Sequence, residues 1–171
     1  MQRIDINCDM GESFGAYTIG MDGEVIRYIS SANIACGFHA GDPRVMNRTV
    51  KLAKENGVGV GAHPGYPDLA GFGRRNIECT PDEVRDDAIY QIAALQGFCT
   101  LHGVKLQHVK PHGSLYNMSV GNENLSRAVA EAIAAVDPDL LWVVLGGAQA
   151  GLAQKVAAAT GIRVALEAFP D

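Results

Sequence analysis

Ile4-Asp5-Ile6-Asn7-Cys8-Asp9 alternates apolar and polar residues one for one, and that alternation decides the fold. Successive strand side chains point to opposite faces, so Ile4, Ile6 and Cys8 share one face and Asp5, Asn7 and Asp9 the other. The pattern returns along the chain. Around 32–36, Ile34, Cys36 and Phe38 oppose Asn33, Ala35, Gly37 and His39, and in 58–62 Val58, Val60 and Ala62 oppose Gly59, Gly61 and His63. Around 106–110, Gln107, Val109 and Pro111 oppose Leu106, His108, Lys110 and His112; in 163–168, Val164, Leu166 and Ala168 oppose Arg163, Ala165 and Glu167. A sheet sandwiched between two helix layers needs strands that are apolar throughout. Strands with an apolar outside and a polar or glycine inside suit a barrel ringed by helices, with a functional lumen.

With a further apolar run at 140–145, six strands are expected, the first over 3–8, and helical signals lie between most of them. Asp42-Pro43 reads as an N-cap and first helical residue before the stripe Met46, Val50, Ala53, with Gly57 as the stop. Thr80-Pro81-Asp82-Glu83 is a capping box ahead of Val84, Ala88, Ile92, Leu95 and Cys99, ending at Gly103. Leu125, Val129, Ala132 and Val136 mark a third helix closed by Asp137-Pro138, and Gln149 to Ala159 a fourth ended by Gly161. Strand and helix in alternation mean parallel α/β. No linker, repeat or low-complexity stretch interrupts residues 1–171, which read as one domain.

Composition narrows the function. The 171 residues are 47% hydrophobic and 19% charged, which excludes a disordered or fibrous chain. A net charge of −5 without a basic block argues against nucleic acid. The longest aliphatic or aromatic run, Leu140 to Leu145, is far short of the ~20 residues that span a bilayer. The charges inside MQRIDINCDM do not suit a signal peptide, so a soluble cytoplasmic protein is expected. Cys8, Cys36, Cys79 and Cys99 are scattered without a C-x-x-C pair and read as reduced thiols.

Polar residues gather toward the C-terminal strand ends, where barrel active sites sit: Asp9, Glu12, His39, Asp42, His63, Lys110, His112 and Glu167. Each alone could belong to a satisfied hydrogen-bond network. Eight together are costly to bury without a task. Asp9, His39 and His63 offer the N/O set of a divalent transition cation, an alternative the spacing leaves open. His108 and His112 are not expected to share an ion, because four residues of strand span ~13 Å. General acid–base work by Asp9 or a histidine, with Lys110 stabilising negative charge, fits the residue types better than a nucleophile. The loop Pro64 to Arg75 (PGYPDLAGFGRR) reads either as an ordinary connection or as a lid whose Arg74 meets a carboxylate or phosphate. No Walker motif or G-x-G-x-x-G is present.

Four blocks carry a resemblance. DINCDMGESFG (5–15), SANIACGFHAGD (31–42), GAHPGYPD (61–68) with GFGR (71–74), and VKPHGSLYN (109–117) resemble, in order, the signatures of the LamB/YcsF family, the 5-oxoprolinase A subunits. EAFPD (167–171) looks like the start of a fifth. The resemblance implies a seven-stranded (β/α) barrel of the glycoside hydrolase/deacetylase type. It implies ATP-dependent opening of 5-oxo-L-proline to L-glutamate with partner subunits B and C, ATP being a co-substrate handled together with those partners. Under it, Asp9 or His63 is the base activating water, and Lys110 with His112 holds the oxyanion or phosphate. Arg74 and Asn33 orient substrate, with Asn7, Glu12, His39, Tyr116 and Glu167 completing its site. Two other functions fit the residues: a stand-alone metal-dependent amidohydrolase or deacetylase, and a non-catalytic lactam-binding subunit. The chain stops inside the fifth block, so the barrel is expected to lack its last strand and helix. That leaves an open seam, an edge that invites a partner or a second copy of the chain.

Overall fold

A computed structural model describes residues 4–169 and contains six parallel strands in sequence order. These are β1 (Asn7–Met10), β2 (Ser31–Ala35), β3 (Gly59–His63), β4 (Leu106–Val109), β5 (Leu141–Leu145) and β6 (Arg163–Glu167). The helices are α1 (Asp22–Val25), α2 (Pro43–Asn56), α3 (Pro81–His102), α4 (Gly113–Gly121), α5 (Glu123–Val136) and α6 (Ala150–Thr160). Arg3 at the head of the expected first strand, and Pro170 and Asp171 at the end of the fifth block, lie outside the described residues.

The sheet is curled into an arc of a (β/α) barrel. Laid flat, six strands would hold β1 and β6 about 24 Å apart at roughly 4.8 Å per step. Instead the Lys110 ammonium, just past β4, lies 3.3 Å from Asp9 Oδ1 on β1 and 2.8 Å from Glu167 Oε1 on β6. The polar faces of the strands therefore line one lumen, as the alternation predicts.

Three strands depart from that alternation, β6 because Leu166 on its expected outer face is 55% exposed. β1 begins at Asn7, leaving Ile4 and Ile6 exposed rather than packed under a helix. In β4 the pairing jumps from Val60↔Leu106 to Gly61↔His108, so Gln107 is an extra, bulged residue. The bulge puts Leu106 in the outer core beside Val60, turns Gln107 toward Gly59, and keeps His108 and Lys110 facing inward.

The capping chemistry places the long helices. Asp42 accepts hydrogen bonds from the backbone of Arg44 and Val45 at the start of α2; this, with a bond from Gly15 N, is its role rather than a place in the lumen. Thr80 and Glu83 form the reciprocal capping box of α3, and Gly57 and Gly103 close α2 and α3. Two helices are additions: α1, and α4, which follows β4 directly. No helix among the described residues is long and apolar enough to cross a membrane.

Outside the sheet, α3 packs against α5 with Ile92, Leu95, Val129 and Ile133 buried in one cluster with Val109 and Trp142. Leu95→Ala or Ile133→Ala leaves a cavity there and is expected to cost about 2–5 kcal/mol. Urea unfolding checks this: the midpoint should fall at unchanged slope.

Candidate active site

The C-terminal strand ends and the loops that follow hold the site. Asn33 on β2 spends its whole amide on it. Its Nδ2 donates to Asn7 Oδ1 at 2.7 Å and Asp9 Oδ1 at 2.8 Å, and its Oδ1 receives His108 Nε2 at 2.7 Å. Burial first, then neighbouring positive charge, lowers His108 to about 4, so the ring is neutral and donates. Lys110 Nζ contacts Asn7 Oδ1 and Asp9 Oδ1, both at 3.3 Å, and pairs with Glu167. Tyr116 on α4 donates to the other Glu167 oxygen at 3.1 Å, and burial beside that carboxylate pushes its hydroxyl up.

Asp9 sits at the junction. Burial alone would raise its carboxyl. Positive charge at His63 Nε2, the Lys110 ammonium and the hydrogen bond from Asn33 together outweigh burial and hold it well below the usual carboxylate range. The carboxylate form of Asp9 is thus favoured, and its side chain is still 35% exposed.

A second cluster adjoins it. His63 Nδ1 lies 2.6 Å from the Lys110 carbonyl, and His112 Nε2 lies 2.7 Å from the Phe72 carbonyl. A carbonyl only accepts, so each of these nitrogens carries its proton. The opposite nitrogens, His63 Nε2 and His112 Nδ1, face each other at 3.0 Å, with Asp9 Oδ2 3.3 Å from the former and Glu12 Oε1 4.0 Å from the latter. His39 stacks on His112 with ring centroids 3.7 Å apart and 2° between planes, and its Nε2 is 3.5 Å from Glu12 Oε1. Donor atoms of Glu12, His39, His63 and His112 all lie within 4.8 Å of one another. Desolvation lowers His39 and His112 to about 3 and raises Glu12.

The Pro64–Arg75 loop builds the wall over these rings. Asp68, buried, accepts from Gly71 N at 2.9 Å and pairs with Arg75, while its carbonyl accepts Gly73 N at 2.9 Å. This turn holds Phe72 at φ 54°, a left-handed conformation rare for a bulky residue, and aims its carbonyl at His112. Gly73 follows at φ 62°, where a Cβ would fall 2.7 Å from His39 Cβ and 2.8 Å from His112 Cδ2. No side chain fits there.

Asn7, Asp9, Glu12, Asn33, His39, His63, Lys110, His112, Tyr116 and Glu167 are therefore brought together. Arg74 is exposed at the rim, its guanidinium 5.9 Å from the Phe72 ring centre, and it is the neighbouring Arg75 that pairs with a carboxylate. Sequence reasoning misses the anchoring role of His108, although Gly61 opposite, which clears space for its ring, is a usable signal. It also misses the Phe72 carbonyl, which no side-chain pattern reveals.

Comparison with known proteins adds three findings. The LamB/YcsF family profile matches residues 4–171. Two proteins named as the A subunits of 5-oxoprolinase, from Natranaerobius thermophilus and Pyrococcus abyssi, are 59% and 58% identical over 100% and 99% of this chain. The chain spans 65% of the length of each. The crystal structure of a lactam utilization protein from Thermus thermophilus superposes with a TM-score of 0.95 at 49% identity, covering 99% of this chain and 67% of that one.

Proposed function

The chain belongs to the LamB/YcsF family, and on that footing we propose that it acts as the A component of an ATP-dependent 5-oxoprolinase, opening 5-oxo-L-proline to L-glutamate in the cytoplasm with partner subunits B and C. The names borne by its relatives support the substrate. The observation that carries the chemistry is the buried Lys110 ammonium beside the ionised Asp9, which in turn touches His63.

An unstrained lactam resists water because attack destroys amide resonance. Phosphoryl transfer from ATP to the lactam oxygen removes that resistance. Water then adds at C5, the C5–N bond breaks with a proton passing to nitrogen, and a second water cleaves the acyl phosphate to glutamate and phosphate. The Asp9–His63 pair is suited to orienting and deprotonating water. Lys110 faces the charge that grows on oxygen, whereas His112, whose ring proton goes to the Phe72 carbonyl, lines the site without a proton to give it. Asn7 and Asn33 hold Asp9 and Lys110 in register, and Glu167, fixed by Tyr116, holds the ammonium from the other side. Arg74 at the rim is available to the substrate carboxylate, and the partners share the handling of ATP.

Lys110→Met removes the buried ammonium from the lumen and is expected to lower glutamate release by about 10²–10³-fold. The assay is steady-state turnover with ATP and all subunits present; near-wild-type turnover would sink the assignment. The four-donor cluster favours a second reading, a stand-alone metal-dependent amidohydrolase. Lactam turnover by this chain alone, without ATP, selects it.

A further inference from the structure

We infer that Glu12, His39, His63 and His112 form a binding site for one divalent transition cation of the Zn²⁺, Co²⁺ or Mn²⁺ kind. The tautomers carry the first half of the argument. Backbone carbonyls of Lys110 and Phe72 each take one ring proton of His63 and His112, so neutral rings would face each other with two bare nitrogens 3.0 Å apart. Neutral lone pairs at that distance repel. Something positive belongs between them, either a proton on His63 or a cation.

The second half chooses between these. A proton on His63 would satisfy His112 and Asp9, which flank it. It would do nothing for His39, which is fully buried and has no hydrogen-bond partner on either ring nitrogen, nor for Glu12 Oε1, equally buried and equally without a partner. Their 3.5 Å separation is too long for a hydrogen bond. It is close to the roughly 3.3 Å that separates ligand atoms around a tetrahedral ion with 2.0–2.1 Å bonds. One cation gives each of the four side chains a partner, leaving a single ring nitrogen of His39 without one.

The surroundings match a metal site in other respects. Ligating histidines give their second ring N–H to a carbonyl or carboxylate, as His63 and His112 do here. Three imidazoles and one carboxylate select a borderline transition ion over Mg²⁺ or Ca²⁺. Asp9 stands beside the cluster, 3.3 Å from His63 Nε2, outside the set of four.

This goes beyond the lactam reading. It changes the roles of His63 and His112, both of which would be ligands, and the cation would supply the acidity that activates water. Lys110 keeps the part assigned above, and Asp9 would orient the water without His63 as its partner.

The test reads metal, not turnover. Protein stripped with chelator is titrated calorimetrically with Zn²⁺, and separately with Co²⁺ while the visible spectrum is followed. One equivalent should bind, with the intense visible bands of low-coordinate Co²⁺. Glu12→Gln and His39→Asn should each weaken binding by at least about 10–100-fold, the loss seen even when an outer partner of a ligand is removed. His102→Asn, which alters a histidine bonded to Asn47 away from the cluster, should bind as the unmodified protein does. No uptake by the unmodified protein at micromolar free metal overturns the proposal. So does a His39→Asn protein, folded by circular dichroism, that binds equally well, or loss of binding in His102→Asn. Should both cluster variants fail to fold, the stoichiometry and Co²⁺ spectrum of the unmodified protein still decide. Failed metal uptake with intact ATP-dependent glutamate release would leave the lactam reading standing.

Discussion

Asp9→Asn is expected to slow glutamate release by about 10²–10⁴-fold, the range for removing a group that handles a proton in the transition state. Asparagine keeps the size of the side chain and can still accept the 2.8 Å hydrogen bond from Asn33. It cannot keep the charge. In the native site Asp9 stays ionised against the pull of burial because His63 and Lys110 flank it. Without the anion, the water-activating pair is gone and Lys110 answers to Glu167 alone. Because that charge matters most as the reacting centre polarises, kcat should fall far more than KM changes. Steady-state kinetics on the variant with ATP and all partner subunits provides the check. A raised KM at unchanged kcat would mean that Asp9 merely binds substrate.

Gly61→Ala should damage both stability and turnover. Gly61 lies on the lumen face of β3 opposite His108, and a Cβ there would run into the imidazole at Nε2, the atom that donates to Asn33. His108 is 4% exposed, so the ring has little room to retreat. Overpacking of this kind typically costs about 1–3 kcal/mol. For a domain of this size that is a fall in melting temperature of roughly 2–12 °C. The ring's displacement also frees Asn33, and with it the placement of Asn7 and Asp9. Gly97→Ala is the matched control: the glycine is inside α3 with nothing within 4 Å of the added methyl. It should stabilise by about 0.5–1 kcal/mol, because a helix-interior glycine is costly. Paired thermal melts separate the two, and equal shifts for both variants would refute the close-contact argument.

What the sequence makes legible follows from what each feature depends on. α2 and α3 are readable to within a residue or two because their ends are written in local chemistry: Asp42-Pro43, the Thr80–Glu83 box, Gly57 and Gly103. α4 is not. His112 at its N-cap makes no side-chain capping bond, and Ser114 and Ser119 are buried among its apolar residues, so no clean stripe forms. The β4 bulge is invisible in the sequence because register is a property of two strands, and only pairing with β3 shows Gln107 to be the extra residue. The convergence of Asp9, Asn33, His63 and Lys110 is readable from alternation alone, since period two fixes the face. His39 and Glu12 lie beyond their strands, and their meeting with His112 depends on loop paths and on a carbonyl turned by Phe72.

The contact between Lys110 and Asn7 joins residues 103 positions apart, and that between Lys110 and Asp9 residues 101 apart. No local segment of the chain can assemble this group of charges; the strands from β1 to β4 must all be in place. Closing so long a loop costs little more than closing a short one, since the entropy grows only with the logarithm of length. A half-built sheet carries the same ionisable groups scattered and hydrated, with no means of acting in concert. The group of charges therefore exists only in molecules whose β1, β4 and β6 are all in place, and a probe of the Lys110 environment would report the fraction of molecules whose sheet is complete.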